Sequence, residues 1–169
     1  MRLAERQHRE LGFGIQEIEL ALQSLNIPVV LLKGAAYVAA GLDAAHGRLV
    51  SDVDVLVPKV ALPKVEAASM LGGWASATGS AYDQRYYRTW MHELPPMQHL
   101  QRGTVMDVHH AIMPVSARIH PSSALLLSAA RPLYAGSYLH VLAPVDMVLH
   151  SATHLLHEGS FEQGLRGLV

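Results

Sequence analysis

The stretch Leu49-Val50-Ser51-Asp52-Val53-Asp54-Val55-Leu56-Val57 is the clearest strand in the chain. It alternates in period two, with Ser51, Val53, Val55 and Val57 on one face and Val50, Asp52, Asp54 and Leu56 on the other. Pro58 closes it. Side chains two apart on a strand point the same way, so Asp52 and Asp54 are expected to sit close enough to share a cation. Like charges held side by side in an apolar strand repel one another and lose hydration, and a counter-ion removes that cost. A hard divalent cation suits the pair, because Mg²⁺ takes one or two protein carboxylates and leaves its other positions to water and phosphate. The plainer alternative is an exposed strand whose two solvated acids pair with Lys33 or Arg48.

Upstream, Val29-Val30-Leu31-Leu32 is a short apolar run, read as a buried strand. Lys33-Gly34 ends it, and Ala35 to Ala40 reads as the start of a helix. Backbone N–H groups at such a start can hold phosphate oxygens, glycine permits close approach, and Lys33 adds a point charge. An ordinary strand-to-helix turn is the competing reading. Downstream, Val105-Met106-Asp107-Val108-His109 again puts an acid inside a strand, with Asp107 and His109 on one face. A third carboxylate on a neighbouring strand would complete a two-metal site or serve as the base for an attacking hydroxyl.

The remaining chain supplies a frame. Leu11, Ile15, Ile18, Leu22 and Leu25 recur at helical spacing, and Asn26 and Pro28 stop that helix. Ala61 to Leu71 reads as a helix with Pro63 in its first turn, ended by Gly72-Gly73. One or two strands and a loop at Pro95-Pro96 are expected between Trp74 and Leu100. Pro121 to Ala130 and Pro144 to His157 read as helices, with Tyr138 to Leu142 extended between them. The order predicts an α+β or α/β domain, with α+β preferred: a mixed β-sheet flanked by helices. Residues 1–115 form its core and residues 116–169 a C-terminal helical part of the same domain.

Composition narrows the function classes. The 169 residues are 50% hydrophobic and 16% charged, a globular balance sufficient for one core. A net charge of -1 gives no general attraction to nucleic acid or anionic membrane. Arg2, Arg6 and Arg9 read as the solvated face of the first helix. With no cysteine, disulfides and thiolate metal sites are excluded. The N-terminus lacks the apolar stretch of a signal peptide, and no run is long enough to span a membrane. A cytoplasmic location is expected.

Eleven histidines make coincidental clusters common. His150, His154 and His157 share a helical stripe with Asp146 one turn earlier, a spacing that can bind zinc. They alternate with leucines and lack an HExxH pattern, so a polar helix face is the simpler reading. His92-Glu93 lies where it can approach the acids. His109 is the better candidate, positioned to orient Asp107 or touch substrate. Trp74, Trp90 and the methionines read as packing residues.

Taken together, LLKGAAY, RLVSDVDVLV and VMDVHH resemble the nucleotidyltransferase superfamily with the DNA polymerase β fold. More narrowly, the chain is similar to the bacterial family of uncharacterised nucleotidyltransferases, over roughly Ile27 to His110. A weaker echo runs from Leu142-Ala143-Pro144 to Leu165-Arg166. The resemblance implies a polymerase β palm-like core with C-terminal helices. It implies Asp52, Asp54 and Asp107 as catalytic metal ligands for Mg²⁺ or Mn²⁺. Lys33, Gly34, Arg48, Ser51 and His109 would line the nucleotide. The turn carries Lys33-Gly34 where the wider superfamily usually has Gly-Ser or Gly-Gly. Relatives continue with more helix beyond Leu168-Val169, so a chain truncated at the C-terminus is expected.

The leading expectation is an enzyme that transfers a nucleoside monophosphate from an NTP to an unknown acceptor: a small molecule, a protein or a nucleic-acid end. One alternative is a catalytically inactive nucleotide-binding or partner-binding module, for example of toxin–antitoxin type. Another is a histidine-based zinc hydrolase. Oligomeric state is left open.

Overall fold

The computed structural model describes residues 2–158 except 79, 81, 83, 84, 88–90 and 115, with side chains omitted at 2 and 156–158. Trp90, Leu165 and Arg166, and the side chain of His157, lie outside the described residues. Helix α1 (Arg2–Leu22) continues into a 3₁₀ turn, Gln23–Leu25. Asn26 then caps it in a left-handed conformation, φ 51°, with its N–H on the Gln23 carbonyl. This residue type tolerates that conformation better than most, which is why the helix stops there. Its leucine and isoleucine stripe is buried as the spacing predicts: Leu11, Ile15, Ile18 and Leu22 all enter the main core.

The chain then runs β1 (Val29–Leu31), α2 (Lys33–Ala39), β2 (Asp52–Leu56), α3 (Leu62–Leu71), β3 (Trp74–Ser76), β4 (Met97–His99) and β5 (Val105–His109). It continues α4 (Ser123–Ala129), β6 (Arg131–Pro132), β7 (Leu139–Val141) and α5 (Pro144–Glu158). Pro63 falls in the first turn of α3, where its missing N–H leaves no bond unmade. The strands form one mixed seven-stranded sheet in the order β3-β4-β5-β2-β1-β7-β6. Strand β1 is antiparallel to β2, and β2 is parallel to β5. On the other side β7 lies parallel to β1, so residues 116–169 contribute two strands to the sheet as well as helices.

Each sheet face has its own apolar layer. Val53, Val55 and Val57 join Val29, Leu31, Met106 and Val108 under α1, α2 and α3. Leu56, Val30 and Leu32 face the other way and pack with Ile112, Leu142 and Leu126 of α4. The alternation read from Val53 to Val57 is thus the real partition of the sheet. The strand starts three residues later than the expected Leu49. The strand begins at Asp52, so Val50 is not held by the pleat and packs into the main core with Val53. Ser51 is left exposed.

Ile18 is fully buried where α1 meets the sheet. Ile18→Ala is expected to cost about 2–5 kcal/mol, the usual range for a buried large-to-small change, measured by urea unfolding.

Candidate functional site

Parallel pairing of β2 with β5 aligns Asp54 with Asp107, Asp52 with Val105 and Leu56 with His109. Residues paired across a sheet share a face, so Asp52, Asp54, Asp107 and His109 all project from the face opposite Val53 and Val55. Strand β1 lies on the other side of β2, and the Leu32 N–H donates to the Asp54 carbonyl at 2.9 Å. This delivers Lys33, the first residue of α2, to the same place. Its Nζ lies 2.8 Å from Asp54 Oδ1.

Asp54 is 4% exposed. Its Oδ1 also faces His109 Nε2 at 2.8 Å, while His109 Nδ1 lies 3.0 Å from Glu93 Oε2. An ionised carboxylate only accepts hydrogen bonds, so His109 Nε2 is the donor to Asp54. Burial pushes the Asp54 carboxyl up, but the bond and charge of His109, with Lys33, reverse that and hold it below the usual carboxylate range. Asp107 fares differently. Burial first, then the charges of Asp54, Asp52 and Glu93, raise its pKa from 3.8 to about 6, against a smaller opposing pull from His109. Its Oδ1 is buried with no hydrogen-bond partner among the described residues. Ser51 donates to Asp52 Oδ1 at 3.2 Å on the exposed rim.

The left-handed conformation of Lys33, φ 49°, is uncommon for a residue with a side chain. The ion pair with Asp54 gives a reason to keep a lysine where glycine would be easier. Gly34 is required for a different reason. A Cβ there would lie 2.8 Å from Val50 Cγ2, and 3.5 Å from Arg48 Nε. The glycine therefore admits Val50 into the core beside it. Arg48 stands next to this turn with its guanidinium carbon 5.4 Å from the Tyr37 ring centroid.

Two hollows lie near the acids, neither of them lined by Asp52, Asp54 or Asp107. One of about 240 Å³ is lined by Lys33, His92, Glu93, His109, His150 and His154, among others. A wider cleft of about 480 Å³ lies between α1 and the loops before β2 and β5, and meets the acidic group at Ser51. The smaller one holds the partners of Asp54 and is the one tied to the acids. His150 departs from the polar face expected of it. It is 3% exposed, and burial, with lesser effects of Lys33 and His154, drives its imidazole down to about 3. Leu149 and Ser151 flank it in sequence, but the helix turns it inward.

The sequence-based site residues therefore fall into two groups. Asp52, Asp54, Asp107, Lys33 and His109 lie on one sheet face, while Gly34, Arg48 and Ser51 border it. The three aspartate carboxylates are not themselves gathered within 4.8 Å; the group that is, among the described residues, is His92, Glu93 and His109. Glu93 was signalled in sequence only by its position beside His92.

A family model described as uncharacterised nucleotidyltransferase matches residues 1–169. This chain belongs to that family. It is a nucleotidyltransferase, a transferase of phosphorus-containing groups. No curated protein matches it. Two solved structures share the nucleotidyltransferase fold, both of the antibiotic-resistance factor ANT(2'')-Ia. Its solution structure is 14% identical, covers 91% of this chain and 76% of its own, and has a TM-score of 0.57. Its crystal structure with adenylyl-2''-tobramycin is 13% identical, covers 91% and 83%, and has a TM-score of 0.58. Among the described residues of this nucleotidyltransferase, no helix is long and apolar enough to cross a membrane.

Two outcomes follow from the packing and charge of the site. Gly34→Ala is expected to destabilise by about 1–3 kcal/mol through overpacking against the stiff Val50, and Val50→Ala should recover part of that loss, read from denaturant midpoints of the single and double variants. The folded pKa of Asp107 lies above its ordinary 3.8, so its contribution to stability is complete below that value and lost as pH rises through about 6. In metal-free buffer, Asp107→Asn should therefore raise the melting temperature more at about pH 7.5 than at about pH 4.

Proposed function

We propose that the chain transfers a nucleoside monophosphate from an NTP to a hydroxyl-bearing acceptor, using Mg²⁺ or Mn²⁺ held by Asp52, Asp54 and Asp107. The carrying observation is the in-register pair Asp54 and Asp107 on parallel neighbours, with Asp52 on the same face. The residues present fit a hard divalent cation. They offer carboxylate oxygens, one of which, Asp107 Oδ1, is buried without a partner. The like charges that raise the Asp107 pKa are those a cation would neutralise. When bound, the metal supplies activation of the acceptor oxygen and charge stabilisation for the departing pyrophosphate.

The chain's own residues do the positioning. His109 fixes the orientation of the Asp54 carboxylate through its Nε2. Lys33 balances the charge of Asp54 and brings a cation to the edge where the phosphates are proposed to lie. Arg48 and Gly34 form the adjoining wall, and Ser51 steadies Asp52 from the rim. Catalysis on this reading is mostly orientation and charge neutralisation.

Calorimetry with a non-hydrolysable ATP analogue, with and without Mg²⁺ or Mn²⁺, tests the binding half. Pyrophosphate release across a panel of small-molecule, protein and nucleic-acid acceptors tests the transfer half. Binding should need the metal. Asp54→Ala, with its circular dichroism unchanged, should lose release by roughly 100-fold or more, as loss of a group that stabilises transition-state charge does. Parental release by Asp54→Ala overturns the mechanism. Nucleotide binding with no release on any acceptor would instead favour a nucleotide-binding module.

A further inference from the structure

We propose that His92, Glu93 and His109 form a second metal site, distinct from the aspartates and suited to a borderline transition-metal ion such as Zn²⁺. Their donor atoms lie within 4.8 Å of one another. One pair, His109 Nδ1 and Glu93 Oε2, is 3.0 Å apart, near the separation of about 3.3 Å between neighbouring donors of a tetrahedral zinc with bonds near 2.0 Å. The donor set decides the kind of ion. Two imidazoles and one carboxylate suit zinc, whereas Mg²⁺ prefers oxygen alone.

Three further features fit a metal site better than a chance cluster. The first is the other nitrogen of His109. Its Nε2 faces Asp54 Oδ1 at 2.8 Å, the carboxylate–histidine–metal arrangement that fixes the tautomer and orientation of a ligating ring. The second is rigidity. Glu93 forms an antiparallel bridge with His109, the Leu94 N–H donates to the Val108 carbonyl at 2.8 Å, and the His110 N–H donates to the His92 carbonyl at 2.8 Å. The segment bearing two of the donors is thus fastened to the strand bearing the third. The third is space. The 240 Å³ hollow opens beside the three donors and leaves room for a fourth ligand, water or substrate. His150 and His154 line the same hollow, and their rings are 6.2 Å apart, but no carboxylate gathers with them within that 4.8 Å limit among the described residues.

Zinc bound at His109 Nδ1 would displace to solvent any proton held on that nitrogen. The ion would clamp His109, and through its Nε2 hold the Asp54 carboxylate. The site stands on its own donors and does not depend on nucleotide transfer.

The test uses the full chain, stripped with a chelator and titrated with Zn²⁺ against a chromophoric competitor in excess Mg²⁺. Co²⁺ serves as a second probe, through its visible absorption in a tetrahedral field. About one equivalent of zinc should be retained, and His92→Gln and Glu93→Gln should each weaken it by at least about tenfold, since loss of even an outer-shell partner costs roughly 10–100-fold. Asp52→Asn should leave zinc binding unchanged. Circular dichroism checks each fold, and either substitution suffices if the other fails to fold. The proposal is overturned if the parent retains no zinc, if both substitutions leave the affinity intact, or if Asp52→Asn alone abolishes it.

Discussion

The register of β2 against β5 places Asp54 beside Asp107, and the negative charge this concentrates is the constraint that the neighbourhood answers. A sheet cannot relieve such a contact by moving one residue, because a single-step slip would turn the valines of β2 out of the main core. The relief has to come from other side chains. Lys33 arrives from β1 and His109 from β5, and both bond the same oxygen of Asp54. Asp107 receives no comparable help. Two adjacent acids are thus driven in opposite directions, one held ionised and one inclined to keep its proton, a separation common where acids are used chemically.

The outer strands and helices serve that geometry. Pairing with β7 fastens β1 from its other side, and β1 leads directly into Lys33. Tyr37 on α2 bonds Ser151 on α5, and Arg48 stands over the same tyrosine. The late part of the chain therefore braces the turn that carries Lys33 and Gly34, and it buries His150 above the hollow. The wider cleft near Ser51 is bounded by α1, whose inward stripe anchors the opposite face of the sheet.

Much of this was legible in the sequence because it depends on period. The stripe of α1 and the valines of β2 announce which faces are apolar, and the structure uses those faces. The acids stood out for the same reason, as charged residues in a strand otherwise apolar. Val50 and His150 were misread where period stops being informative. Val50 precedes the strand proper, and His150 is a polar residue turned inward by its helix.

By itself the sequence determined the α+β class and the family, since local alternation and motif spacing carry that information. Only the tertiary structure decided that β5 lies parallel to β2 with Asp54 opposite Asp107, and that Lys33 and His109 meet on one carboxylate oxygen. It alone brought His92 and Glu93 against His109. Strand order and register are set by non-local packing, and no spacing within one segment records which distant segment will lie beside it.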